Sequence, residues 1–119
     1  MSIDLTPLSD IEGLIGTCLV DSDSGMVLGM AGGNGMLDLE LAAAGNTEVV
    51  RAKRKTMKAL GLKDSIEDIL ITLGKHYHLI RPLDSDDALF LYVALDRSRA
   101  NLGMARRQLM GFEKNTALA

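Results

Sequence analysis

Apolar positions recur at every second residue in some stretches and at every third or fourth in others, and these two periods divide the chain into eight elements. Ser9-Asp-Ile-Glu-Gly-Leu-Ile fits a short first helix: Ser9 and Glu12 have capping-box spacing, Ile11, Leu14 and Ile15 share a helical face, and Gly16 ends it. Thr17–Val20 and Met26–Met30 read as strands joined by Asp21–Gly25, and AGGNG (31–35) follows as a flexible loop. Leu37–Leu60 has the period of a long helix. Leu41, Glu48, Ala52 and Leu60 fall near one stripe and Ala42, Val49, Met57 and Leu60 near its neighbour. Gly45 is its weak point, and Gly61 is placed to stop it.

Three β-branched segments come next: SIEDILITL (65–73), HYHLIRPL (76–83) and ALFLYVAL (88–95). The last is apolar at every position, which predicts a central strand covered on both faces. Asp96 or Ser98 then caps a final helix with Leu102, Ala105 and Leu109 facing inward, and the tail after Phe112 is expected to fray. The order is α-β-β-α-β-β-β-α, one α+β domain over 1–119 with its core at about 9–110. Its hairpin connections predict a mainly antiparallel sheet.

Composition narrows the function. A net charge of -3 argues against generic nucleic-acid binding. The single cysteine, Cys18, excludes an internal disulfide and a thiolate-rich zinc site, and suits a reducing cytoplasm. The N-terminus lacks the basic and apolar regions of a secretory signal, and the longest apolar run is too short to span a bilayer.

Candidate chemistry is sparse. The acids Asp21 and Asp23 resemble the start of a calcium loop, but the pattern fails after two ligands, which leaves a turn between strands. The glycines of AGGNG lack the lysine and spacing of a phosphate loop. His76 and His78 face the same way on a strand, but no Cys, Asp or Glu stands at motif spacing to complete a zinc set, so a structural role ranks first. No nucleophile-and-base motif occurs, and no catalytic residue, cofactor or metal is assigned.

Two stretches stand out. RAKRKTMK (51–58) carries five cations and no acid. Arg51, Arg54, Lys55 and Lys58 make a basic stripe, either a solvated face or a docking face for an acidic partner. In SIEDILITL, Ile69, Ile71 and Leu73 alternate. As an edge strand it would invite a second copy, and the alternative is cover by a helix of the same chain.

The hairpin IEGLIGTCLVDSDSGMVLG, the long helix and the ending ALFLYVALDRSRANLGMARRQL together resemble the roadblock family of dynein-light-chain type, within the roadblock/longin group, as a bacterial or archaeal member. The apolar-flanked turn Asp21–Gly25 and the pair Asn101-Leu102 carry that likeness, which covers about 9–110. The resemblance implies a five-stranded antiparallel sheet with the long helix on one face and the terminal helices on the other. It also implies a dimer joined through the third strand with the long helices side by side, placing Val49, Ala52, Ile66, Ile69, Ile71 and Leu73 at the interface. Family members commonly work with small Ras-like GTPases, some stimulating hydrolysis without an arginine finger, which makes Arg51, Arg54, Lys55 and Lys58 candidate partner contacts. The expected function is a non-enzymatic homodimeric module that regulates or scaffolds such a GTPase, without nucleic-acid binding or membrane insertion. A small-ligand sensor with a pocket between sheet and helix is the alternative; an enzyme using His76 or His78 is a third reading.

Overall fold

A strand without a charged position must be covered on both faces, and residues 88–95 are such a strand. The computed structural model, which describes residues 3–116, puts this segment at the centre of one sheet. Strand β5 (Leu89–Asp96) lies between β1 (Leu14–Asp21) and β4 (His76–Pro82), and β2 (Met26–Gly32) and β3 (Ile69–Thr72) form the two edges. Every pairing is antiparallel. The expected α+β class and antiparallel sheet are therefore present.

The pleat of β5 sorts the core into two layers. Leu91, Val93 and Leu95 join Leu19 and Leu79 beneath helix α2 (Leu102–Asn115) and a short 3-10 turn, Thr6–Asp10. Phe90, Tyr92 and Ala94 join Cys18, Val20 and Ile80 beneath helix α1 (Leu39–Ala59). The long helix thus covers one face and the terminal elements the other.

Several boundaries differ from the sequence reading. The expected first helix is absent: the 3-10 turn ends at Asp10, and Leu14, Ile15 and Gly16 belong to β1. Leu14 packs in the α2 layer and Ile15 in the α1 layer, so the spacing that mimics a helical face is strand alternation. In α1 the inward set is Leu39, Ala43, Thr47 and Val50, whereas Leu41 is 70% exposed and Leu60 66% exposed. Apolar residues lie on more than one side of this helix, so periodicity alone misassigns the buried stripe. Helix α2 is capped by Asn101, whose side chain accepts from the Met104 N–H at 3.0 Å, while Asp96 holds the preceding turn through Ser98. It runs through buried Glu113 to Asn115; the expected fraying of 117–119 lies outside the described residues.

Other expectations hold. Gly25 N–H donates to the Asp21 carbonyl at 2.7 Å and Asp23 N–H to the Asp21 carboxylate at 2.9 Å, which makes Asp21–Gly25 a hairpin turn. Helix α1 ends in a Schellman arrangement: Gly61, at φ +71°, donates to Lys58, and Leu62 donates to Met57.

The two sheet edges are finished differently. Against β2, Ile3 N–H donates to the Leu28 carbonyl at 3.0 Å. A Cβ at Gly29 would lie 2.2 Å from the Ile3 carbonyl oxygen, so only glycine admits that segment. Among the described residues β3 pairs with β4 alone.

Two ion pairs fasten α2. Arg106 grips Asp68 with two bonds at 2.8 and 3.1 Å, and Arg81 of β4 donates to Glu113, both side chains largely buried. Removing one member of a buried pair strands the other charge, while replacing both with apolar groups is often neutral. Glu113→Ala leaves Arg81 only the exposed Asp84 carboxylate at 3.7 Å and should lower unfolding free energy by about 3 kcal/mol, and the double change Arg81→Met, Glu113→Leu by less than about 1 kcal/mol, read from urea midpoints. A single variant as stable as the parent would contradict this.

Candidate functional site

A groove with an apolar floor lies beside β3, which pairs on one side only among the described residues. The Schellman turn sends the backbone from the end of α1 back toward β3 and turns Met57 and Leu62 to the same side. The segment 63–68 then runs irregularly into β3, which is shorter than the expected strand 65–73. Asp68 sits at the junction, turned to Arg106. Between α1 and this segment lies a groove of about 750 Å³. Its apolar lining includes Val49, Met57, Leu62, Ile66 and Ile69. Lys53 lines it from the helix, and Asp64 and Glu67 from the connecting segment.

Of the six residues expected at a self-pairing surface, Val49, Ile66 and Ile69 meet in this groove. Ile71 is partly buried against the same layer. Leu73 lies just past β3 and is 43% exposed, and Ala52 stands on the solvent side of α1. Met57, Leu62 and Lys53 are groove residues that sequence reasoning missed. The Gly61-Leu62 helix ending was their signal, since a hydrophobic contact commonly accompanies that turn.

The basic stripe divides into two pairs. Arg51 donates to the Ser22 and Asp23 carbonyls, each at 2.8 Å, and Arg54 donates to the Asp87 carbonyl. Both clamp α1 to the hairpin turns of the sheet. Lys55 and Lys58 are exposed and enter no ion pair among the described residues.

A second cluster lies under α1. His76 Nδ1 is 3.2 Å from His78 Nε2, and Tyr92 Oη is 3.1 Å from His78 Nδ1. Burial, then the neighbouring Cys18, pushes the Tyr92 phenol up to about 12, and burial pushes the Cys18 thiol up to about 12. Cys18 is fully enclosed in β1, an unreactive thiol as expected. The two histidines share a face as the strand period requires. Tyr92 as their partner was not legible, because it depends on the β4–β5 register.

No protein-family profile matches the sequence, and no curated protein matches it. Solved structures do. The Roadblock/LC7 domain from Streptomyces avermitilis superposes with a TM-score of 0.76 at 14% identity, over 92% of this chain and 87% of that one. This chain has the roadblock/LC7 fold. Myxococcus xanthus MglB matches with a TM-score of 0.71 at 20% identity, over 82% of this chain and 70% of that one. The gliding protein MglB from Thermus thermophilus matches at 0.68 and 17% identity, over 86% and 73%. Within the roadblock/LC7 sheet of this chain, the groove flanks the third strand, the segment where the sequence resemblance implied pairing.

The His78 pair gives a pH test. Burial, then the charge of His76, lowers the His78 pKa from its ordinary 6.5. The unfolded chain then binds the proton more readily, so this group's stabilising contribution is present above pH 6.5 and is lost as pH falls toward the folded value. The melting temperature should drop between about pH 7.5 and 5.5, and His78→Gln should shrink that drop. A melting temperature that rises on acidification, or an unchanged drop in the variant, would contradict it.

Proposed function

We propose that this chain is a homodimeric interaction module that regulates or scaffolds a small Ras-like GTPase in a prokaryotic cytoplasm. The observation that carries the reading is the apolar-floored groove beside β3, whose outer edge is unpaired among the described residues. Backbone groups along β3 that do not reach β4 offer a ladder to a second copy, and a two-fold axis there would bring Ile66 and Ile69 of each copy toward the other's groove. The α1 helices would then lie side by side across the extended sheet. Leu41 and Ala52, exposed in the monomer, fit a helix that meets its own copy.

The fold and its MglB neighbours support a GTPase as the partner, through what the roadblock resemblance implies. One solved neighbour is described as MglB with a tetrameric arrangement, which supports self-association as a habit of the fold. Lys55 and Lys58 provide an uncommitted positive rim suited to the acidic surroundings of a magnesium-bound nucleotide. Arg51 and Arg54 contribute chiefly by holding α1 in place. Catalysis by this chain is not part of the proposal. The groove opens along the sheet edge, whereas the layer between sheet and helix is filled by Tyr92, Phe90, Ala43 and Val50, which weighs against the sensor alternative.

Light scattering after size exclusion should give twice the chain mass at micromolar concentration. Ile66→Asp should shift the protein to monomer, lower the melting temperature only by the stabilisation that association supplied, and leave the circular dichroism spectrum of a folded chain, because Ile66 lies outside the strands and both central core layers. Lys55→Glu with Lys58→Glu should keep the dimer and lower the association rate with the cognate Ras-like GTPase by about tenfold or more at low salt. A monomeric parent protein, or a dimer that neither binds nor alters GTP turnover of any Ras-like GTPase from its own genome, would overturn the proposal.

A further inference from the structure

The histidine pair on β4 has the geometry of a chelate. The geometry points to a site for one late first-row divalent ion, such as zinc, nickel or copper, held by His76 Nδ1 and His78 Nε2. Zinc–imidazole bonds are about 2.0–2.1 Å long, so two nitrogens on one tetrahedral ion stand about 3.3 Å apart, and at a right angle about 2.9 Å. The observed separation is 3.2 Å. Neighbouring strand residues could not produce it; residues two apart on one face can.

The ring orientations fit as well. A ligating imidazole characteristically uses its second nitrogen to donate to a fixed acceptor. Here that nitrogen, His78 Nδ1, lies 3.1 Å from Tyr92 Oη. When the two rings bond to each other, one facing nitrogen carries a hydrogen and the other accepts it. With the ion bound, both facing nitrogens present lone pairs, and each ring keeps one hydrogen: His78 on Nδ1, directed at Tyr92, and His76 on Nε2. No proton is lost overall.

Asp96, Lys75 and Arg97 are the charged groups around the pair. Across the sheet, His78 is opposite Ile71 of β3 and Ala94 of β5, while His76 is opposite Asp96. His76 lines an open groove of about 410 Å³ together with Met36, Asp96, Lys75 and Arg97. Arg97 is committed elsewhere: it donates to the Leu73 carbonyl at 2.8 Å and lies over the Tyr77 ring. Among the described residues no third His, Cys, Asp or Glu completes the set, so water fills the remaining positions from the groove side. Two imidazoles and water suit zinc, nickel and copper better than calcium or magnesium. The inference stands apart from the GTPase reading.

The test is titration of the untagged, metal-stripped chain with zinc and nickel by calorimetry, and with copper by electron paramagnetic resonance. One ion per chain is expected, with coupling to two imidazole nitrogens in the copper spectrum. Zinc should shift the imidazole NMR signals of both histidines. His76→Gln, the milder change, should weaken binding at least about tenfold, and Tyr92→Phe, which removes only the orienting hydroxyl, roughly 10–100-fold. His78→Gln should do at least as much wherever its melting curve shows a folded protein. Binding unchanged in His76→Gln, a single coupled nitrogen, or zinc that leaves both histidine signals in place would each overturn the assignment.

Discussion

A β-sheet must satisfy its backbone at both edges, and among the described residues this sheet finishes only one of them. At β2, Ile3 bonds across to Leu28 and Gly29 leaves room for it. Among the described residues the ladder at β3 stops after β4, and the groove beside it has an apolar floor of Val49, Met57, Leu62, Ile66 and Ile69 rimmed by Lys53, Asp64 and Glu67. An edge that natural sequences usually protect is here flanked by Val49, Ile66 and Ile69, and the proposed dimer would use it as its joint.

The rest of the architecture holds the β3 edge and its groove at a fixed geometry. β5 is buried on both faces and sets the plane of the sheet. Arg51 and Arg54 tie α1 to the hairpin turns at one side, and the Schellman turn at Gly61 brings the following segment back along the other. Arg106 fixes Asp68, the residue just before β3, from the opposite layer. The groove is therefore bounded by elements that are each anchored independently, and a partner copy would meet a preorganised surface.

Much of this was legible in the sequence. The unbroken apolar run of 88–95 placed the central strand, and Asp, Ser and Gly placed the first hairpin turn. The long helix was bounded to within two residues, and its glycine stop was identified. The first helix was misread because Ile11, Leu14 and Ile15 satisfy a helical period while Leu14 and Ile15 in fact point to opposite faces. Strand β3 was overextended because Ser65–Asp68 continues the pattern, whereas Asp68 is committed to a helix far along the chain. The basic stripe was visible as charge, but its division into two clamps and two free lysines depends on carbonyls of distant turns, Ser22, Asp23 and Asp87. The Tyr92–His78–His76 chain likewise required strand register, which composition and spacing do not encode.

Hydrogen exchange of the β3 amides at two protein concentrations tests the central claim most directly. If two copies join along this edge, amides in Ile69–Thr72 that do not face β4 will be protected at high concentration and will exchange faster on dilution, while β5 stays protected throughout. Exchange at those amides that is fast and independent of concentration would contradict it.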